Sequence, residues 1–368
     1  MSKKIRLLTA DDSAVVRRLV SESIKNCSRI EIVAAARNGR EAVSLYEQHQ
    51  PDVVLLDVEM PVMDGISALR ELRKINRNVP VLMFSALTIR GAEATLDALS
   101  MGANDYVAKP GRAESIEQSM AYVQRELVPR ILHWGSRFTG PTPQPQAVKP
   151  VAAEPARPVA AAPRRSAAPV DVIAIGSSTG GPNALATVLD GLPGDLSVPV
   201  LIVQHMPPVF TKLLAERLNR SSALTVLEAQ DGMPIRPGEA LIAPGGYHMT
   251  VATAGLERKV QLNQEPPENS CRPSVDALFR SVAQIYGANT QAVIMTGMGK
   301  DGLEGCRLLR QQNARILSQD EASCVVWGMP KAVCDAGLAD RIVPLGDIHV
   351  ELINAVRSGQ RQRVLAPA

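Results

Sequence analysis

The chain reads as an α/β protein with two doubly wound parallel-sheet domains joined by a proline- and alanine-rich linker. Three observations predict this. Short apolar runs alternate with helical patterns over the first third of the sequence. The same alternation resumes near residue 170. Between the two lies a 29-residue stretch, 141–169, in which eight residues are proline and most others alanine or polar. Strands alternating with helices build parallel sheets. A proline-rich polar stretch buries too little apolar surface to offset its ordering entropy.

In the first segment the strand-like runs are IRLLTA (5–10), EIVAAA (31–36), VVLLDV (53–58), VLMFSA (81–86) and DYVAKP (105–110). Between them, SAVVRRLVSESI and GISALRELRKI place apolar residues at helical spacing. The linker is a semi-extended spacer, and its polar–proline character also suits a proline-recognition module. After it come DVIAIG (171–176), VPVLIVQ (198–204), EALIAP (239–244), QAVIMT (291–296) and RILSQD (315–320). HMTVATAGLERKVQL (248–262) differs, and its alternation predicts an antiparallel hairpin turning near Ala254–Gly255.

Composition excludes several classes. A net charge of +3 points to neither a polyanion nor an anionic membrane as partner. With 3% aromatic residues there is no stacking platform for single-stranded nucleic acid. Five cysteines with no C-x-x-C spacing argue against disulfides and zinc, and predict reduced core thiols. The start, MSKKIRLLTADD, turns acidic after one short apolar run, unlike a signal peptide, and no apolar stretch reaches membrane-spanning length. A cytoplasmic protein is expected.

In open parallel sheets, working residues collect beyond the carboxyl ends of strands. Asp11 and Asp12 follow the first run, Asp57 ends the third, Ser85 the fourth and Lys109 the fifth. Three carboxylates in one crevice repel one another unless a cation joins them, and hard oxygen ligands suit Mg²⁺. Asp57 then reads as a carboxylate nucleophile accepting a phosphoryl group, with Lys109 neutralising charge and Ser85 hydrogen-bonding the new oxygens.

DD (11–12), LLDVEMPVMDG (55–65), SA (85–86) and KP (109–110) make this segment resemble a response-regulator receiver domain of the CheY type, with its flavodoxin-like fold. The resemblance implies phosphorylation of Asp57 by a CheA-type histidine kinase. It implies Mg²⁺ held by Asp12, Asp57 and the backbone carbonyl of Glu59, and a switch at Ser85 and Tyr106.

The second constellation begins at IGSSTGGP (175–182). Strand, glycine-rich turn and helix start fit a phosphate loop, but there is no Walker lysine and no G-x-G-x-x-G spacing. A nucleophile needs a histidine and a carboxylate from elsewhere in the chain. Ser178 follows VIAIG, His205 follows VLIVQ, and Asp301 lies just after AVIMT, all at carboxyl ends of strands. Spacing alone leaves Ser177 and Ser178 as equal candidates. The order Ser–His–Asp differs from the Ser–Asp–His of α/β-hydrolases despite the G-x-S-x-G string. Glycine-rich backbone leaves N–H groups for an oxyanion, and Pro182 suits the first helical turn.

IAIGSSTGGP, QHMPPVFT, LIAPGGYHM, PSVDALFRSVA, TGMGKDGLEG and SQDEASCVVWGMPKAV make this half resemble the catalytic domain of the CheB family of chemotaxis methylesterases, a Rossmann-like α/β fold. The resemblance implies Ser178 as nucleophile, His205 as base and Asp301 as its orienting partner. It puts the oxyanion at the backbone amides of Thr179 and Met298, and His248 in the wall of the cleft. It implies hydrolysis of γ-glutamyl methyl esters on methyl-accepting chemotaxis receptors through an acyl-enzyme, deamidation of receptor glutamines, and no cofactor at this site.

The expected division is a receiver at 1–127, linker 128–169, methylesterase 170–358 and a tail at 359–368. Two domains in one chain suggest control, with the unphosphorylated receiver covering the Ser178 cleft and phosphorylation releasing it. A phospho-switched binding protein with a degenerate second domain is disfavoured by the intact Ser178, His205 and Asp301 set. A DNA-binding regulator is disfavoured because no basic stripe or recognition helix follows the receiver.

Overall fold

The computed structural model describes residues 3–111, 115–139, 168–255 and 257–365. The proline-rich core of the expected linker lies outside them. The chain divides into two compact units, Met1–Ala160 and Ala161–Ala368.

The first unit runs β1 (Ile5–Ala10), α1 (Ala14–Ile24), β2 (Ile30–Ala36), α2 (Gly39–His49), β3 (Val53–Asp57), α3 (Gly65–Ile75), β4 (Val81–Ser85), α4 (Ile89–Ser100), β5 (Asp105–Ala108) and α5 (Ile116–Thr139). The sheet order is β2-β1-β3-β4-β5, with every pairing parallel. Every residue of β3 and β4 is buried, as a central parallel strand covered on both faces requires. The chain reverses direction across the sheet between β1 and β3, so their carboxyl ends open onto a crevice. Ser13, Asn38, Asp64 and Thr88 cap α1 to α4, each side chain accepting a backbone N–H of the first turn.

Helix α5 corrects the expected boundary at 128. Val123, Leu127 and Ile131 fall four residues apart, are fully buried in the core, and carry the apolar stripe past that point. Val128, Leu132 and Trp134 pack against the same core, and residues 128–139 are therefore helix rather than linker.

The second unit contains β6 (Val172–Ser177), α6 (Gly181–Asp190), β7 (Val200–Gln204), α7 (Phe210–Ser221), β8 (Thr225–Glu228), β9 (Glu239–Ile242), β10 (His248–Ala254), β11 (Glu257–Asn263), α8 (Val275–Tyr286), β12 (Thr290–Ile294), α9 (Leu303–Gln311), β13 (Arg315–Gln319), α10 (Met329–Asp335), β14 (Arg341–Val343) and α11 (Ile348–Leu365). Seven strands form a parallel sheet in the order β14-β13-β12-β6-β7-β9-β8. The chain moves from β6 to β7 on one side and later returns to β12 on the other, which puts the switch point at β6.

β10 and β11 form the expected antiparallel hairpin, from His248 opposite Asn263 to Ala254 opposite Glu257. Its inner face (Met249, Val251, Val260) joins the core cluster that contains Leu278 and Val282 of α8. Edge strands β8 and β14, which the sequence reading did not anticipate, are short and buried on only part of their surface. The expected tail at 359–368 starts within α11, whose backbone stays helical to Leu365. Among the described residues, no helix is long and apolar enough to cross a membrane.

Candidate active site

In the first unit, carboxylate oxygens of Asp11, Asp12 and Asp57 lie within 4.8 Å of one another. Asp11 and Asp57 are buried, whereas Asp12 faces solvent. Lys109 Nζ stands 2.8 Å from Asp11 Oδ2 and 2.8 Å from Asp57 Oδ2. The Lys109 backbone is fixed by its N–H donating to Ser85 O at 2.7 Å. Burial raises the Asp57 pKa to about 6, with Lys109 acting in the opposite direction. For Lys109 itself, burial works to lower the pKa, but Asp11 and Asp57 outweigh it and the net shift is upward. One cation facing three carboxylates leaves a net anionic crevice, and all-oxygen donors at this separation fit a small hard divalent ion.

The loop after β3 is shaped by one close approach. A Cβ on Gly65 would lie 2.0 Å from Asp57 O, so only glycine lets the chain pass behind the aspartate. The Glu59 amide donates to Asp57 Oδ1 at 3.4 Å. Ser85 is fully buried and its Oγ donates to Gly91 O at 3.0 Å, while Tyr106 is half-buried on β5.

In the second unit, the adjacent strands β6, β7 and β12 lead at their carboxyl ends into Ser178, His205 and the loop of Asp301. His205 Nε2 and Asp301 Oδ2 are 2.8 Å apart. Ser274 Oγ donates to Asp301 Oδ1 at 2.8 Å, Val275 N to Oδ2 at 2.6 Å, and Asp276 N to Oδ1 at 3.2 Å. The carboxylate therefore sits on the N-terminus of α8, where orphan N–H groups and the helix dipole favour an anion. Burial would raise its pKa, but bonds from His205, Val275 and Ser274 reverse that and hold it well below the usual carboxylate range. The neighbouring Asp276 is raised to about 6 by burial and by the Asp301 charge, while the Gly305 amide works against the rise.

The two adjacent serines have different environments. Ser177 is fully buried and its Oγ donates to Gln204 Oε1 at 2.7 Å. Gln204 Nε2 in turn donates to Ser178 O at 2.9 Å and His205 O at 3.2 Å, tying the ends of β6 and β7 together. Ser178 is 8% exposed, and its amide donates to Thr296 O at 3.0 Å. A Cβ on Gly297 would lie 2.8 Å from Ser178 Cβ, so the chain after β12 runs directly against the serine.

Gly180, at φ 79°, turns the backbone into α6, where a Cβ would strike Val325 at 2.4 Å. Pro182 occupies the first turn of α6. The amides of Thr179 and Met298 donate to no other group among the described residues, and the Thr179 carbonyl is held by Thr296 Oγ1 at 2.9 Å.

The structure does not join Ser178 to His205 by a hydrogen bond among the described residues. The second ring nitrogen, Nδ1, instead faces Cys271 Sγ at 3.5 Å. Burial opposes protonation of His205, but Cys271 and Asp301 outweigh it and push its pKa up to about 10. Asn269 Nδ2 donates to Asp301 Oδ1 at 3.0 Å and to Asp276 Oδ2 at 2.9 Å.

Cys271 and Asn269 are residues that sequence reading missed. Cys271 was expected to be a core thiol, yet it is half-buried beside the histidine. His248 is 1% exposed, its Nδ1 accepts from Ser274 N at the start of α8 at 3.2 Å, and its Nε2 lies 3.2 Å from Pro266 O just past the hairpin.

The CheB methylesterase family profile matches residues 173–352, and the response regulator receiver domain profile matches residues 7–121. A protein-glutamate methylesterase/protein-glutamine glutaminase of Trichodesmium erythraeum is 44% identical over 353 residues, covering 96% of this chain and 99% of the relative. One from a Nocardioides species is 46% identical over 370 residues, covering 99% and 98%. The crystal structure of the Thermotoga maritima CheB methylesterase catalytic domain is 42% identical, with a TM-score of 0.50, and covers 50% of this chain and 98% of that one.

Proposed function

Since the chain belongs to the CheB family of receiver-linked methylesterases, we propose that it hydrolyses glutamate γ-methyl esters on methyl-accepting chemotaxis receptors, deamidates receptor glutamines, and is activated by phosphorylation of Asp57. The observation that carries the reading is the Asp301–His205 pair at the switch point, at the strand end that carries Ser178, whose neighbour Ser177 is fully buried and bonded to Gln204.

Ser178 Oγ attacks the ester or amide carbonyl. Asp301 occupies Nε2, so Nδ1 is the nitrogen left to take the serine proton and pass it to the departing methoxide or, in deamidation, to the amide nitrogen as it leaves as ammonia. Asp301, held by α8, orients the ring and stabilises its charged form. The Thr179 and Met298 amides receive the oxyanion, assisted by the N-terminus of α6 behind Ser178. Water then releases glutamate through a second tetrahedral intermediate. The chemistry uses side chains and backbone alone.

In the first unit, Asp12, Asp57 and the Glu59 carbonyl would hold Mg²⁺, which when bound offsets charge on a phosphoryl group. Asp57 is the acceptor for a phosphoryl group from a CheA-type histidine kinase. Lys109 neutralises its oxygens, and Ser85 and Tyr106 respond to them. The receiver extends to the end of α5, and the catalytic domain starts just ahead of β6.

The test is methanol release from methylated receptor cytoplasmic fragments, with and without acetyl phosphate and Mg²⁺. Release should rise with the phosphodonor and vanish in Ser178→Ala. Release that survives in Ser178→Ala would refute the nucleophile assignment. Release indifferent to the phosphodonor in wild type would refute the control.

A further inference from the structure

A short turn ahead of α8 reaches both members of the His–Asp pair. Glu268 N donates to Cys271 O at 3.1 Å and Cys271 N to Glu268 O at 2.8 Å, closing a two-residue turn. Its central residues, Asn269 and Ser270, have φ of 50° and 63°. Positive φ at both positions is the sign pattern of a type I′ turn, which is strained for a serine. The strain is held by tertiary contacts. Arg280 of α8 grips both Glu268 oxygens, at 2.5 and 2.6 Å. Arg272 donates to the carbonyls of Gln264 and Glu265 at 2.9 and 3.0 Å. The two side chains this turn delivers inward are Asn269, on Asp301, and Cys271, on His205 Nδ1.

We propose that Cys271 is a positioning residue for His205: its sulfur and Nδ1 share a hydrogen bond in the resting site, and that bond must open before the ring can serve Ser178. The inference rests on the reading of His205 as the base. Its physical basis is competition for one nitrogen. Nε2 is committed to Asp301, so a serine proton and the Cys271 sulfur share Nδ1. An isolated thiol and imidazole stay neutral, their ordinary pKa values being about 8.5 and 6.5. A buried carboxylate on the far nitrogen stabilises the protonated ring, which strengthens its hold on the sulfur.

The ring's hydrogen-bonding ionisable partners among the described residues are Asp301 and Cys271. Asp276 lies behind Asn269, and the Glu268–Arg280 pair closes the base of the turn. The raised His205 value agrees with this arrangement.

Two measurements test the proposal. The first is the pH profile of kcat/KM on methylated receptor fragment for wild type, Cys271→Ser and Cys271→Ala. Without the sulfur on Nδ1, His205 loses its proton at lower pH. The acid limb should therefore move down by about one unit or more in both variants, which is about tenfold in rate at a fixed pH on the limb. A limb unmoved in both would overturn the proposal, because a packing role alone would change rate without moving the limb.

The second is the rate of iodoacetamide alkylation, resolved by peptide mapping. At neutral pH Cys271 should react faster than the half-buried Cys27 and Cys334, and His205→Asn should slow it. Equal rates, or indifference to His205→Asn, would overturn the proposal. Alkylation needs no esterase chemistry. Failure of the base reading, seen as activity surviving in Ser178→Ala, is therefore distinguishable from failure of the Cys271–His205 contact.

Discussion

The two polar clusters occupy the same topological position, yet they treat carboxylates in opposite ways. Each lies beyond the carboxyl ends of strands at the switch point of a parallel sheet. Around Asp57, a single lysine faces three carboxylates and burial is left uncompensated, so the pKa rises to about 6. Around Asp301, one carboxylate accepts from a histidine, an asparagine, a hydroxyl and two helix N-terminal amides, so its pKa falls. An under-neutralised cluster is built to receive positive charge from outside. A self-neutralised one is built to keep its own charge fixed while a neighbour changes protonation. Placement at a switch point thus says where chemistry happens, and the local donor count says which kind.

The sharpest way to break this comparison is to take the charge from the self-neutralised site. Asp301→Asn replaces an acceptor with a donor facing Val275 N, Asp276 N and His205. Receptor-ester hydrolysis should fall by about 10⁴-fold, the scale seen when the orienting carboxylate of a serine triad is neutralised. Methanol release measured on folded protein checks it. A loss below about tenfold would mean that the His205 orientation does not depend on Asp301.

The contrasting expectation for the first cluster is sensitivity to pH through ion binding. Mg²⁺ needs the Asp57 carboxylate ionised, and in the ion-free protein that group is neutral below about 6. The shift is upward, so the anion is the form lost as pH falls. Mg²⁺ affinity should therefore hold above pH 7 and decline as pH drops through about 6, approaching about tenfold per unit below it. A carboxylate at its ordinary value would hold its affinity down to about pH 4. Calorimetric titration with Mg²⁺ at several pH values separates the two. Asp57→Asn should remove both the pH-sensitive component and phosphodonor stimulation of methanol release.

Much of this contrast was legible in the sequence, because strand ends followed by charged or hydroxyl residues are local patterns. Asp57 after VVLLD and His205 after VLIVQ are of that kind. What was not legible depends on long-range closure. The edge strands β8 and β14 are short and partly exposed, so no apolar run marks them. The extension of α5 beyond residue 127 is carried by Ile131 and Trp134 finding a core that the sequence does not display. Cys271 and Asn269 are ordinary loop residues until the Glu268–Cys271 turn is folded against β7. The burial of His248 and its bonds to Ser274 N and Pro266 O likewise appear only once the hairpin is folded against α8. The choice between Ser177 and Ser178 also needed the structure, since successive strand residues point to opposite sides.

That choice supplies the smallest expected effect, and it sharpens the comparison within a single dipeptide. Ser177→Ala removes a buried hydroxyl and leaves Gln204 Oε1 without its donor. An unsatisfied buried acceptor costs about 1–3 kcal/mol, a loss felt mainly as a lower melting temperature of the catalytic unit. Gln204 Nε2 still holds Ser178 O and His205 O, so the serine and the histidine keep their positions. Methanol release by Ser177→Ala should therefore stay within about tenfold of wild type, a change of about 1.4 kcal/mol in barrier, while Ser178→Ala removes it. If the two variants lost activity equally, the buried Ser177–Gln204 bond would have to be part of the catalytic geometry rather than a brace beneath it.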